Sequence, residues 1–299
     1  MTKSRTLYLP TAAAAATLLL PAAAAPEASL EAPAPPAGYR LVWADEFDRD
    51  GPPDPKNWKF ESGFVRNQEF QWYQAENAVC KNGMLVIEGR RERRPNPAYR
   101  AGSDRWQEKR EFIDYTAASL KTEGLHSWTY GRFEMRARID TRPGLWPAFW
   151  TLGVNGEWPS CGEIDIMEYY RGNLLANVAW GTSERWKAKW DSSSTPLTKF
   201  GDPEEWVRKF HVWRMDWDAD SIRLYVDDVL LNETDITTVR NPASPVENPF
   251  RQPHYLLLNL AIGGQNGGDP AGTEFPARFE VDYVRVYQRV SPTEAAGTP

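Results

Sequence analysis

The 299-residue chain has few of the residues that bind zinc or form histidine-based catalytic sites, with only two cysteines and three histidines. His126, His211 and His254 are scattered, and Cys80 lies far from Cys161, so no spacing typical of a zinc site occurs. A basic surplus is missing as well, because 35 Lys and Arg stand against 41 Asp and Glu, for a formal net charge of −6. This balance argues against non-specific nucleic-acid binding, since phosphate backbones attract basic surfaces.

Aromatic residues, in contrast, are abundant, with 14 Trp, 12 Tyr and 12 Phe. The hydrophobic share of 41% is enough for a sizeable core, which excludes a wholly disordered chain. Aromatic and acidic surpluses together suit a neutral, hydroxyl-rich ligand.

The amino-terminal segment is typical of a secretory signal peptide. Residues 1–25 contain Lys3 and Arg5, then a mostly apolar run over residues 7–20, and end in an A-x-A cleavage site at residues 23–25. The apolar run is shorter than the about 20 residues of a membrane-spanning helix. We therefore expect a secreted or periplasmic protein that is not held in a membrane.

The remaining chain divides into three parts by composition. Residues 26–38 are rich in Ala and Pro and are expected to form an extended linker. Residues 39–290 contain no linker-like interruption and are interpreted as one domain, a length that all-β folds commonly reach. Residues 291–299 are interpreted as a frayed tail.

A period of two dominates this domain. In residues 132–139, RFEMRARI, every odd position is apolar and every even position is charged, which is typical of a strand with one face on a core. Similar short segments occur at residues 84–88, 146–152, 164–170, 211–217, 222–226, 255–262 and 279–287. Turn formers separate them, and no strong helical period intervenes. The pattern predicts an all-β protein, and we favour a jelly-roll β-sandwich of two antiparallel sheets with a concave substrate cleft.

Three acids interrupt the apolar segment 163–170, EIDIMEYY. Glu163 and Asp165 share one face of a regular strand, whereas Glu168 would point to the other. A β-bulge at Met167 would bring all three acids to one face, and bulges are frequent near active sites. A solvated sheet edge or a cation site would also explain three clustered acids, but an apolar strand flanked by Trp is a poor place for idle charges.

The spacing of the acids indicates the chemistry that they could perform. After a bulge, Glu163 and Glu168 lie about 13 Å apart between Cα atoms. Leaning side chains could bring their carboxyl groups close to the roughly 5–5.5 Å typical of retaining glycosidases. Asp165 between them is a like charge that should raise the pKa values of its neighbours and could orient a nucleophile.

The segment 163–168 resembles the bulged E-x-D-x-x-E active-site strand of glycoside hydrolase family 16, as in laminarinases, agarases and κ-carrageenases. The resemblance extends over about residues 40–288, with supporting motifs WADEF at 43–47, YGRFE at 130–134, GLWPAFW at 144–150 and VDYVRVY at 281–287. It implies that Glu163 is the nucleophile, that Glu168 is the general acid and then the base, and that Asp165 assists the nucleophile. It also implies a jelly roll whose cleft cleaves a β-linked polysaccharide internally with retention.

One departure from the family concerns substrate choice. Laminarinase-type members carry a His shortly after the acidic strand, where this chain has Ala179 in NVAWG at 177–181. The departure weakens a β-1,3-glucan preference and leaves a β-galactan substrate open.

Five residues are candidates for sugar contacts. Trp158 resembles the family's stacking Trp beside the cleavage point, and Trp146 and Trp180 are further aromatic candidates, with core packing as the alternative. Glu134 and Arg136 lie on the polar face of their alternating strand, which the resemblance places on the cleft floor; a solvated surface is the alternative.

A metal site and a disulfide are less well defined. Asp282 and Glu46 resemble positions near a structural calcium site of many family members, although isolated surface charges would explain them equally well. We expect no cofactor in catalysis. Cys80 and Cys161 could pair in an oxidising compartment, and the sequence leaves this open.

These features predict a secreted, monomeric, retaining endo-β-glycanase, with β-1,3-glucan favoured among its polysaccharide partners. The alternatives are a β-galactan hydrolase, acting on agarose, porphyran or β-1,3-galactan, and a catalytically inactive carbohydrate-binding protein on the same fold. A transglycosylase is a further rival.

Overall fold

A computed structural model describes residue 1, residues 34–242 and residues 244–290. The predicted signal peptide and tail lie outside these residues, apart from residue 1, and so does most of the predicted linker. Seventeen strands occur in the described part: β1 (Tyr39–Asp45), β2 (Lys59–Phe60), β3 (Gln71–Tyr73), β4 (Ala78–Cys80), β5 (Leu85–Pro95), β6 (Phe112–Ala117), β7 (Ser119–Lys121), β8 (Gly131–Arg138), β9 (Leu145–Gly153), β10 (Glu163–Tyr170), β11 (Asn173–Gly181), β12 (Ala188–Pro196), β13 (His211–Trp217), β14 (Ser221–Val226), β15 (Val229–Asp235), β16 (His254–Ile262) and β17 (Ala277–Arg289).

Helices are confined to single turns in the same residues. The α-helical turns are Trp106–Lys109, Pro203–Trp206 and Gly264–Gly267, and the 3₁₀ turns are Ala75–Asn77, Leu197–Phe200 and Pro249–Arg251. None of the described helices has the length and apolar character needed to span a bilayer.

The strands form two sheets. The ten-stranded sheet has the order β15-β14-β13-β8-β17-β5-β6-β3, with β1 also on β17 and β4 also on β5. The seven-stranded sheet has the order β12-β11-β10-β9-β16-β7-β2. The paired strands are antiparallel except β3 with β6, which are parallel. The predicted all-β, two-sheet jelly-roll sandwich is confirmed.

The core lies between the two sheets and follows from strand alternation. On β8, Phe133, Met135 and Ala137 are fully buried, while the residues between them are only half-buried. Leu256 and Leu258 of β16 supply the same kind of side chain from the seven-stranded sheet and belong to the same apolar cluster. Because successive side chains point to opposite faces, each sheet also has an outer face. The outer face of the seven-stranded sheet carries the site.

Candidate active site

The acidic strand β10 contains the predicted bulge. Asp165 pairs with Asn177 of β11 and Glu168 pairs with Leu175, so three steps on β10 oppose two steps on β11. The ladder to β9 shifts over the same stretch. One extra residue in a strand is the definition of a β-bulge, and it reverses the facing of every side chain that follows.

The bulge sorts the side chains of β10 between core and cleft. Ile166 and Met167 are consecutive, yet both are fully buried in the core between the sheets. Glu163, Asp165 and Glu168 therefore all face the outer side, where they line one cleft.

This cleft crosses the seven-stranded sheet from strand to strand. It has a volume of about 720 Å³, and its floor comes from β16, β9, β10, β11 and β12. Arg66, Asn67 and Glu69 contribute to its lining from the loop before β3, and Gln265 and Asn266 do so from the helical turn Gly264–Gly267.

Glu163 is half-buried beside an indole. Trp158 Nε1 donates a hydrogen bond of 2.5 Å to Glu163 Oε2. Burial raises the pKa of Glu163, while hydrogen bonds from Trp158 and Asp165 and the charge of Arg66 oppose that rise. The donors around Glu163 thus favour its ionised form, which a nucleophile needs.

Glu168 accepts two hydrogen bonds from neutral donors. Trp146 Nε1 lies 2.7 Å from Oε1, and Asn177 Nδ2 lies 3.1 Å from Oε2. Burial raises the pKa of Glu168 to about 7, with further contributions from the charges of Glu163 and Glu69. A carboxyl group that titrates near neutral pH can donate a proton in one step and accept one in the next.

Asp165 is the most deeply buried of the three acids. Burial raises its pKa well above the ordinary value, and the charges of Glu163 and Glu168 raise it further. Asp165 also hydrogen-bonds to Glu163. A protonated Asp165 would keep its proton and donate a hydrogen bond to the Glu163 carboxylate, which would stabilise the negative charge of Glu163.

Two of the predicted aromatic residues belong to the cleft. Trp158 lines it with 37% of its surface exposed. Trp146 also lines it but is buried, and its polar edge is used by Glu168.

Trp180, the third predicted aromatic contact, does not line the cleft and borders a separate groove beside the edge strand β12. On β11, Asn177 faces the cleft, so Trp180 faces the core, where its ring meets Phe250 at a centroid distance of 6.2 Å. The odd separation of three residues places the two side chains on opposite faces of the strand.

The placement of Glu134 and Arg136 on the cleft floor is wrong. Their strand, β8, lies in the ten-stranded sheet between β13 and β17, away from the sheet that carries the cleft. Arg136 donates a hydrogen bond of 2.5 Å to Asp282. Both residues belong to the charged outer face of that sheet.

The residues proposed for calcium do not fit a calcium site. Glu46 receives two hydrogen bonds from Arg285, of 2.8 and 2.7 Å, and Asp282 is paired with Arg136. A guanidinium at each carboxylate takes the place that a cation would occupy. The described residues contain no group of three His, Cys, Asp or Glu side chains placed to hold a metal.

Cys80 and Cys161 are both buried free thiols, so the open question of a disulfide is answered against pairing.

Several cleft residues have no counterpart among the predicted site residues. They are Arg66, Glu69, Asn177, Trp190 and Asn259. Asn177 could have been found, because it is the one polar residue inside the apolar run LLANVAW at 174–180. Arg66 and Glu69 precede the three-residue strand β3, where no pattern points to a cleft.

The comparisons with known proteins agree with this geometry. A sequence profile of the Glycosyl hydrolases family 16 matches residues 66–285. A β-glucanase from Rhodothermus marinus is 38% identical over 275 residues, which cover 84% of this chain and 86% of that protein.

Two solved structures are similar over nearly their whole lengths. One, described with endo-acting O-glycanases that human gut bacteria express to initiate mucin breakdown, has a TM-score of 0.77 and 34% identity, covering 88% of this chain and 96% of its own. The laminarinase catalytic domain from Thermotoga maritima has a TM-score of 0.69 and 35% identity, covering 85% of this chain and 99% of its own.

Proposed function

Because this chain belongs to glycosyl hydrolase family 16 and is a glycoside hydrolase, we propose that it is a retaining endo-β-glucanase. The observation that carries the proposal is the bulge in β10, which brings Glu163, Asp165 and Glu168 to the floor of one cleft. The proposed reaction is a double displacement on a β-linked glucan.

In the first step, a Glu163 oxygen attacks the anomeric carbon as the glycosidic C–O bond breaks. The protonated Glu168 gives its proton to the departing oxygen, so the leaving chain is released as an alcohol. In the second step, Glu168 takes a proton from water, and the water oxygen bonds to the anomeric carbon. The ester bond to Glu163 breaks, and both carboxyl groups return to their starting states.

The neighbours of the two glutamates fit these roles. Trp158 and Asp165 support the charge on Glu163, which attacks and later departs as a carboxylate. Trp146 and Asn177 hold both oxygens of Glu168 and lower its pKa against burial. Without those donors Glu168 would keep its proton too tightly to act as the base of the second step.

The polar groups of the cleft support a hydroxyl-rich ligand. Within the described residues, Arg66 Nη1 is a buried donor and Asn177 Oδ1 a buried acceptor, and neither has a hydrogen-bond partner. Arg66 also stacks on Trp150, with its guanidinium carbon 5.1 Å from the ring centroid. A sugar hydroxyl can serve both groups, since it donates and accepts.

A β-glucan is the favoured substrate because the R. marinus relative is named a β-glucanase and the T. maritima relative a laminarinase. A β-galactan remains the second candidate, because Ala179 lies directly across from Glu163 on the neighbouring strand. The small side chain leaves the position beside the nucleophile without a polar contact. We also propose export of the protein, on the amino-terminal sequence pattern alone.

The deciding experiment is a reducing-sugar assay on purified protein over laminarin, lichenan, agarose, porphyran, carrageenan and β-1,3-galactan. Mucin belongs in the same panel, because one similar structure is described with mucin-degrading O-glycanases. We expect release of internal fragments from β-glucans and none from the Glu163→Ala variant. Proton NMR of the first products should show the β-anomer. Equal release by both proteins would reject the assignment, and α-anomeric products would reject retention.

A further inference from the structure

Trp190 occupies an unexplained position for a large apolar side chain. Three of the fourteen tryptophans have exposed side chains, namely Trp158, Trp186 and Trp190, and Trp190 is 45% exposed on β12. A single exposed apolar side chain is common on a protein surface, but Trp190 is exposed where it lines the cleft, so its ring is available to a ligand there.

The strand register places Trp190 in line with the nucleophile. Glu163 pairs with Ala179 on β11, and Ala179 pairs with Trp190 on β12. The three residues form one row across the sheet, and two strand spacings separate Trp190 from Glu163 by about 10 Å. The residue between them, Ala179, is buried and has only a methyl side chain, while Glu163 and Trp190 both line the cleft.

Trp190 also stands where the cleft leaves the sheet. It lines the cleft, and it equally lines a second groove of about 650 Å³ beyond β12. Because β12 is the edge strand, a chain that runs from Glu163 along this row to the edge of the sheet passes over Trp190.

The second groove has a lining suited to hydroxyl groups. Lys189, Asp191 and Asp235 contribute to it, as does Thr234, whose hydroxyl is buried without a hydrogen-bond partner among the described residues. Polar groups of both charges and a free hydroxyl can bind sugar hydroxyls in several orientations.

We propose that Trp190 is a sugar-stacking platform at the edge of the sheet, which binds a unit of the polysaccharide chain beyond the one at Glu163 and passes the chain toward the groove. The inference rests on the proposed function, because it takes the ligand to be the same β-linked polysaccharide. It predicts that substrate affinity rises when an oligosaccharide becomes long enough to reach Trp190.

The test measures binding and hydrolysis separately. Binding of β-gluco- and β-galacto-oligosaccharides of increasing length is measured by calorimetry on Glu163→Gln, alone and combined with Trp190→Ala or Trp190→Phe. We expect Trp190→Ala to weaken the binding of the longer oligosaccharides by roughly tenfold, about 1.4 kcal/mol. The affinity for the shortest oligosaccharide should not change. Trp190→Phe should restore most of the loss, because it keeps an aromatic face.

Trp186→Ala is the matched control, since Trp186 is 53% exposed on the same hairpin but is absent from the described residues that line the cleft and the groove. The proposal is overturned if Glu163→Gln binds every oligosaccharide equally well with and without Trp190→Ala. It is also overturned if Trp190→Ala weakens binding by the same factor at every oligosaccharide length. If the wild type hydrolyses none of the polysaccharides while Trp190→Ala still weakens the longer ligands, the proposed function fails and the platform stands. If no oligosaccharide of either kind binds, both are wrong.

Discussion

The outer faces of the two sheets place glutamates in opposite surroundings. Glu134 on β8 lies among arginines: Arg132 Nη1 is 4.0 Å from its carboxylate, and the charges of Arg214 and Arg285 also lower its pKa, although burial raises it overall. Glu168 on β10 has only neutral donors in contact, an indole and an amide.

The groups that contact a glutamate decide whether its carboxyl group can take part in proton transfer. A guanidinium that contacts a carboxylate stabilises its ionised form and holds it in a fixed ion pair. An indole or amide donor orients the carboxyl group without neutralising it, so burial and like charges can bring its pKa near 7. Of these two glutamates, Glu168 is the one suited to acid–base chemistry, because no guanidinium of the described residues contacts it.

The largest expected effect is the loss of the nucleophile. Glu163→Gln should lower kcat/KM on the cleaved polysaccharide by at least roughly 10³-fold, because the covalent route needs a carboxylate. Glu134→Gln is the matched variant on the other sheet and should leave kcat/KM within about twofold. Steady-state kinetics on both proteins check the comparison, and a comparable fall in the two would break it.

Glu168→Ala should lower kcat by roughly 10²–10⁴-fold on polysaccharide, the usual range for a general acid–base group. The loss should be smaller on aryl glycosides, whose leaving groups need no proton. Added azide should then restore turnover of the aryl glycosides, because the second step needs a nucleophile but no base when azide replaces water. Failure of azide to accelerate the variant would count against Glu168 as the acid–base group.

The pH dependence of kcat/KM should change when the hydrogen bond from Trp146 to Glu168 is removed. The first step needs Glu168 protonated, so kcat/KM should fall as the pH rises through about 7, near its pKa. Trp146→Phe removes a hydrogen bond that stabilises the ionised form, so the alkaline limb should move to higher pH, by roughly one pH unit.

Trp150→Phe is the control for this shift, since Trp150 lies on the same face of β9 but donates to Asn259 at 2.7 Å. In Trp150→Phe, the alkaline limb of the kcat/KM pH profile should lie at the same pH as in the wild type. An unmoved limb in Trp146→Phe would show that another group sets the alkaline side.

The smallest effect belongs to the ten-stranded sheet. Asp216→Asn weakens the paired hydrogen bonds from Arg132, of 2.6 and 3.0 Å, and should cost about 1 kcal/mol of unfolding free energy. Thermal unfolding should show a lower Tm, with kcat/KM unchanged. Lost activity at an unchanged Tm would show that this outer face takes part in the reaction.

Sequence patterns identified the strands whose alternation is strong. The predicted segment 211–217 matches β13 residue for residue, and the segments at 146–152, 164–170 and 255–262 lie within β9, β10 and β16. In contrast, β11 and β12 were not predicted. On β11 both faces are buried, so the strand has no alternation to detect.

The differences between the predicted and the observed site also arise because strand pairing cannot be read from alternation within one strand. Because both faces of β11 are buried, the sequence does not show which of its side chains, Trp180 included, face the cleft. Glu134 and Arg136 were correctly placed on the polar face of β8, but that face belongs to the other sheet. The polar cleft residues Arg66 and Glu69 came from a loop, where no periodicity operates.

What the sequence alone determined is local: which side chains of one strand share a face, and that Glu168 needs one extra residue in β10 to join Glu163 and Asp165. This holds because successive Cβ atoms alternate along any strand, whatever its neighbours. Only the tertiary structure decided which sheet each strand enters, which donors surround Glu168, and that Trp190 lies in register with Glu163. Those outcomes depend on pairings between residues far apart in the chain, which the facing of side chains along one strand does not encode.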